Sequence, residues 1–192
     1  LNRMIVQGRV PELVQLCEAR HSRVFVEAAN QVADLPTDGR LVLVAGPSSS
    51  GKTTFAKRLQ VQLRVLGYQP FALSLDDYFV DREQTPRGPD GDYDYEALET
   101  IQLDLFNEHL ERLLAGDAVH LPAYDFHSGT SRLRDDAVRI ASGQPLIVEG
   151  IHALNPRLTE AVPRRHKLLA YVSALCHMNI DNTSYIRTSR TR

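Results

Sequence analysis

Hydrophobic positions follow two rhythms along this chain. From residue 10 to 35 the apolar side chains Val10, Leu13, Val14, Cys17, Phe25, Ala28, Val32 and Leu35 recur at mostly helical spacing. Pro11 suits a first helical turn, so one or two amphipathic helices are predicted here. Phe55, Leu59, Leu63 and Leu66 predict another helix, stopped by Gly67. Leu98, Ile101, Leu105, Leu110 and Leu113 predict a long helix over 95–115, closed by Gly116. Between these lie short continuous apolar runs at 41–45, 71–75, 145–149 and 167–175, which read as buried strands. A short helix is expected over 155–162. Segments 119–121 and 137–141 are strand candidates around a hairpin-like insertion, with Ser128-Gly129 as its turn. Strands alternating with helices predict an α/β fold: a mostly parallel sheet, helices on both faces and a small β-hairpin insertion.

Composition narrows the class without naming a function. A chain of 192 residues suggests one domain of ordinary size. A net charge of −2 supplies no global field to recruit nucleic acid or anionic membrane. No apolar run approaches the ~20 residues of a membrane-spanning helix, and no signal peptide opens the chain, so the cytoplasm is the expected compartment. Cys17 and Cys176 are far apart and each has apolar neighbours, which predicts buried free thiols. The first residue is not Met and the last ones close no element. The chain is therefore expected to be a piece of a longer polypeptide with additional domains, and a homo-oligomer is left open.

The chemistry gathers first at Gly46-Pro47-Ser48-Ser49-Ser50-Gly51-Lys52-Thr53, which satisfies G-x-x-x-x-G-K-[ST] between a strand and a helix. Glycines let backbone N–H groups turn inward around phosphate oxygens. The lysine brings positive charge to the outer phosphates, the hydroxyl beside it can ligate Mg²⁺, and the helix N-terminus adds a favourable dipole. Gly46, Ser48, Ser49, Ser50, Gly51, Lys52, Thr53 and Thr54 are thus the predicted nucleotide-binding residues.

Ligands of open α/β sheets bind beyond the carboxyl ends of the strands. Two further strand ends carry acids there: Asp76, followed by Asp77, and Glu149. Glu149 suits a metal-holding position, or else a salt bridge with a neighbouring base. Asp76 suits a general base or metal ligand facing the outermost phosphate, with Lys52 as its catalytic companion. Asp77 is read either with Asp76 or as a helix N-cap. His152 is read as a packed or capping side chain, and Arg164-Arg165-His166-Lys167 as a solvated turn.

In order and spacing, AGPSSSGKTTFAKRL, SLDDYF, DGDYDYEAL, PAYDFHSGTSR and LIVEGIHALNP resemble the uridine kinase family, within the group that includes phosphoribulokinase and pantothenate kinase. The resemblance covers about residues 41–175. It implies ATP and Mg²⁺ as cofactors, Thr53, Glu149 and Asp76 at the metal, and a small-molecule nucleoside as substrate, with no nucleic acid and no membrane. Asp76 becomes the expected base for a sugar 5′-hydroxyl. Asp94 aligns with an acid that binds ribose hydroxyls, although N-capping would equally suit it. Tyr124 aligns with an aromatic that contacts the base, although core packing would suit it too.

Two departures stand out. Gly129 occupies the place of the family's base-reading histidine, with His127 two residues early and Arg132 one residue late for its arginine. Either His127 and Arg132 substitute, or base recognition differs. The family's arginine-rich lid also has no full counterpart, since Arg187, Arg190 and Arg192 precede its expected place. Residues 1–38 resemble a helical connector in longer bacterial proteins that carry a domain related to the threonyl-tRNA synthetase N-terminus. The expected organisation is a connector over 1–38 and a P-loop kinase domain over 39–192, truncated before the lid.

Overall fold

Strand β1 (Arg40–Ala45) is buried at all six positions, as a central strand covered on both faces must be. A computed structural model describes residues 2–173. Before β1 come a short helix α1 (Asn2–Val6) and one 24-residue helix α2 (Val10–Ala33). After it follow α3 (Lys52–Val65), β2 (Phe71–Ser74), α4 (Leu103–Ala115), β3 (Val119–Asp125), β4 (Thr130–Val138), β5 (Pro145–Glu149) and β6 (Lys167–Tyr171). The main sheet runs β2-β5-β1-β6, every neighbour parallel, and β3 and β4 pair antiparallel as a separate hairpin. A parallel sheet with helices on both faces and a hairpin insertion is the architecture the sequence pattern predicts.

Side-chain alternation along β1 divides the core. Val42 and Val44 join Ile147 of β5 under α3 (Ala56, Leu59, Leu63) and the end of α2 (Ala29, Val32). Leu41, Leu43 and Ala45 face the other way, onto Phe106, Leu110 and Leu113 of α4 and onto Val119 and Leu121 of β3. Each large apolar side chain sealed in this way contributes roughly 1.5–3 kcal/mol. Helix α2 shares the first of these clusters only through its C-terminal third, while Val10, Val14, Leu16 and Val24 stay exposed. Among the described residues, no helix is long and apolar enough to cross a membrane.

Several boundaries differ from those the sequence suggests. Helix α4 starts at Leu103 rather than near residue 95, because its upstream backbone groups are already committed. Val80 N–H donates to Thr100 O and Gln102 N–H to Tyr78 O, each at 2.8 Å, which bridges Phe79 to Ile101. A single 3₁₀ turn, Leu98–Thr100, is all that precedes the helix. Segment 155–162 holds only the 3₁₀ turn Pro156–Leu158, since Thr159 leaves helical geometry at once. The hairpin strands are longer than expected, and β4 ends before a turn in which Gln144 N–H donates to Ala141 O. Cys17 is an exposed thiol on the protruding half of α2, not a buried one. His166 is buried and its Nδ1 contacts Gly39 O at 3.0 Å, while Lys167 Nζ donates to Thr159 O. That basic cluster is therefore partly packed rather than solvated. Cys176, residues 174–175 of the last expected strand and the arginines at 187, 190 and 192 lie outside the described residues.

Candidate active site

β1 delivers the phosphate-binding loop at its carboxyl end. A Cβ on Gly46 would fall on the carbonyl of Val172, whose N–H closes on Ala45 O at 2.7 Å. Only glycine admits that approach. Ser49 takes a left-handed φ of 58°, and no other described non-glycine residue has a positive φ. Such a conformation costs on the order of 1–2 kcal/mol and belongs to loops whose amides must point inward. Gly51, at φ 96°, caps α3, and its carbonyl accepts from Phe55 N–H at 2.8 Å. Lys52 Nζ folds back to donate to Pro47 O at 2.9 Å. Ser50 Oγ is buried with no partner among the described residues, so a polar atom inside the loop still lacks its hydrogen bond. Thr54, next in line, lies in the first turn of α3.

Parallel pairing sets the acids beside this loop. Glu149 ends β5 in register with Val44 on one side and Ser74 on the other. Its Oε1 accepts from Thr53 Oγ1 at 3.0 Å. Gly150 follows because a side chain there would meet Leu75. Two hard oxygen donors at hydrogen-bond distance, with no acidic or histidine cluster among the described residues able to hold a metal alone, fit Mg²⁺. That ion takes one or two protein ligands and completes its shell with water and substrate phosphates.

Asp76 sits on the 3₁₀ turn Leu75–Tyr78 that continues β2. Ser74 caps the turn, its Oγ accepting from Asp76 N–H at 3.3 Å, so Asp77 is not the N-cap. The Asp76 side chain keeps a solvent-facing surface, yet surrounding atoms desolvate its carboxyl and push the pKa up. The Lys52 charge pulls it down and Asp77 adds to the rise. Asp77 is likewise raised by burial, against the pull of Arg134 and of the Tyr124 backbone N–H.

The hairpin leans over these acids. Arg134 Nη2 donates to Asp77 Oδ2 at 3.2 Å. A cavity of about 240 Å³ is lined by Thr53, Lys57, Ser74, Asp77, Arg134 and Glu149 among others. Tyr124 packs edge-on against Phe79 and Phe126, with ring centroids 5.6 and 5.0 Å away, so packing and an aromatic wall coincide at this residue. Segment 79–84 is tied to the hairpin by three bonds. Arg82 N–H donates to Gly129 O at 2.8 Å, Arg82 Nη2 to Phe126 O at 2.7 Å, and Ser131 N–H to Asp81 Oδ1 at 2.7 Å.

The remaining sequence candidates are placed differently. Asp94 accepts from Glu96 N–H at 3.0 Å, capping its own turn. His127 is exposed at the hairpin tip, its N–H held by Asp125 Oδ1 at 2.9 Å. Arg132 lines a neighbouring cavity of about 370 Å³ with Val80, Asp81 and Gln102, away from the phosphate loop. His152 has its Nε2 buried and without a partner among the described residues. Lys52, Thr53, Asp76 and Glu149 are thus brought together, and Arg134, Phe79 and Arg82 join a site for which sequence reading did not select them. Arg134 carried a signal, since it stands two residues beyond Arg132 on a strand. Arg82 carried none.

Comparison with known proteins agrees with this geometry. The model of the phosphoribulokinase / uridine kinase family matches residues 41–180. A uridine kinase of Tolumonas auensis is 29% identical over 126 residues, covering 65% of this chain and 58% of that protein. The inorganic pyrophosphatase TTM2 of Arabidopsis thaliana is 32% identical over 133 residues, covering 68% of this chain and 18% of that protein. A solved structure of a possible uridine kinase from Bacillus stearothermophilus aligns with a TM-score of 0.60 at 25% identity, covering 78% of this chain and 79% of that one. The chain spans 58% and 52% of the first two curated uridine kinases it matches. With its family model matched over most of its length and its P-loop flanked by the expected acids, the chain belongs to the phosphoribulokinase / uridine kinase family of P-loop kinases.

Proposed function

We propose that this protein transfers the γ-phosphoryl group of ATP to the 5′-hydroxyl of a pyrimidine nucleoside, uridine or cytidine. The observation that carries the reading is the meeting of Thr53 and Glu149 at 3.0 Å beside a lysine whose charge acts on Asp76. Backbone amides of 48–54 and Lys52 would hold the phosphates, Lys52 exchanging Pro47 O for a phosphate oxygen. Thr53 and Glu149, with Asp76 nearby, would hold Mg²⁺, which when bound neutralises phosphate charge. Asp76 would orient the acceptor hydroxyl and take its proton. Tyr124, with Phe79 and Phe126, would offer the nucleobase an aromatic wall, and Asp94, His127 and Arg132 would complete acceptor recognition. Most of the acceleration would come from positioning and charge neutralisation.

Resemblance to the uridine kinases and the acid placement support this reading, as does the aromatic hairpin. It sets the reaction in the cytoplasm and residues 1–38 as a connector to further domains. A second reading, a phosphorylated sugar as acceptor, is favoured by Arg134 and Lys57 in the cavity beside Glu149. A panel of nucleosides and sugar phosphates, followed by coupled ADP release, tests both. Uridine or cytidine should be turned over fastest, and preference for a sugar phosphate would replace the first reading with the second. Lys52→Ala should abolish turnover of either.

A further inference from the structure

A cavity of about 670 Å³ opens at the end of the sheet opposite the phosphate loop, where β2 begins. It is lined by Arg64 in the last turn of α3, by Tyr68, Gln69 and Phe71 between α3 and the start of β2, and by Arg139 and Gln144 between β4 and β5. Its charge is one-sided. Two guanidinium groups from different elements line it and no carboxylate does. Asp135 and Asp136, the nearest acids along β4, are not in its wall. The guanidinium of Arg139 has no hydrogen-bond or ion-pair partner among the described residues. Arg64 makes one long contact, 3.5 Å to Gln60 Oε1 of its own helix. Gln144 gives its Oε1 to Gln69 N–H, which leaves its amide nitrogen as a further donor.

An aromatic ring belongs to the same wall. Tyr68 lines the cavity, while the buried Arg40, which does not line it, holds its guanidinium 4.9 Å from the ring centroid. Arg40 is itself fixed by Gly143 O at 2.6 Å and Ala33 O, so it presents the tyrosine as an anchored plate. Unpaired planar guanidinium forks suit phosphate oxygens, and a fixed aromatic plate suits a flat heterocycle.

We infer that this cavity is a second ligand site, separate from the phosphate loop, for a phosphate-bearing small molecule with a planar ring, of the nucleotide class. Arg64 and Arg139 would grip the phosphate from two sides, Gln144 would add a donor, and Tyr68 would stack on the ring. Nothing in this inference depends on which acceptor the kinase site uses. Helix α3 joins the two sites, since its first turn carries Thr53 and its last turn Arg64.

The test is calorimetric titration of AMP and of inorganic phosphate into protein whose phosphate loop is already filled with a non-hydrolysable ATP analogue and Mg²⁺. Saturable AMP binding, tighter than phosphate, is expected. Arg64→Ala and Arg139→Ala should each weaken it at least tenfold, and Arg139→Lys should retain part of it. Thermal melts of each variant separate lost binding from lost folding. No saturable binding, equal affinity in Arg64→Ala/Arg139→Ala, or AMP binding no tighter than phosphate would overturn the assignment.

Discussion

Thr53 and Glu149 stand 96 positions apart in the chain, and their side chains meet at 3.0 Å. One opens the helix after the phosphate loop and the other closes β5. Parallel pairing of β1 with β5, and the phosphate loop that turns β1 into α3, bring them together. If both ligate Mg²⁺, Thr53→Val and Glu149→Gln should each lower turnover on the order of 10²-fold and raise the Mg²⁺ concentration needed for half-maximal rate. Because they act on one ion, the double variant should lose far less than the product of the two losses. Magnesium titrations of all three variants check this.

Asp76 should set the acid limb of the kcat/KM profile. Its pKa is raised, burial being the main cause, so if Asp76 is the base its ionised form is lost as pH falls through a value above the ordinary aspartate range. Asp77 contributes to that rise, so Asp77→Asn should move the limb to lower pH. Asp76→Asn should cost rate far more than ATP affinity. For stability the sign reverses. A raised carboxyl favours folding in its protonated form, and that contribution is lost as pH rises through the folded pKa. Asp76→Asn should therefore raise Tm at pH 7.5 while turnover collapses. Full activity in this variant would remove the base assignment.

Arg134 and Arg132 should separate by readout. Arg134→Ala frees Asp77 in the cavity beside Glu149 and should raise acceptor KM with ATP KM unchanged. The ion pair itself is more than a third exposed on both sides and is worth roughly 0.2–1 kcal/mol, so the melt should barely move. Arg132→Ala, on the neighbouring cavity, should affect acceptor KM less. Steady-state kinetics of the two variants against one acceptor decide it.

His109 should make stability pH-dependent. It is buried on α4, with Nδ1 3.1 Å from the hydroxyl of the fully buried Tyr78, and burial lowers its pKa. The unfolded chain therefore takes up this proton first. The contribution is complete above about pH 6.5 and is lost as pH falls below it. Urea midpoints should drop from pH 7.5 to 5.5 by an amount that His109→Gln largely removes. Tyr78→Phe leaves the ring nitrogen unpaired and should cost about 1–3 kcal/mol.

The parts of this fold legible in the sequence are those fixed by local rules. The phosphate loop, the apolar strands β1, β2 and β5 and the glycine stops at Gly67 and Gly116 follow from spacing and backbone freedom and lie within a residue of where they are expected, while β6 ends at Tyr171, short of the strand expected over 167–175. What failed depends on distant partners. Residues 95–101 have helical spacing, yet at the end of this stretch Thr100 O and Gln102 N–H pair with the backbone of Val80 and Tyr78, and helix begins only beyond them. Cys17 has apolar neighbours in sequence, yet α2 projects past the core before reaching it. Arg134 gained its meaning from Asp77, 57 positions away on another element.

Arg82, Asp81 and Arg134 together bind the hairpin to the segment that carries Asp76 and Asp77. If Asp76 is the base and the hairpin reads the acceptor, recognition of the acceptor and alignment of the base are mechanically one event. An ill-fitting acceptor that tilts the hairpin would then also carry the carboxylate off the line of attack. Discrimination should consequently appear in the rate of transfer more than in the strength of binding, and poor analogues should act as slow substrates rather than as tight inhibitors.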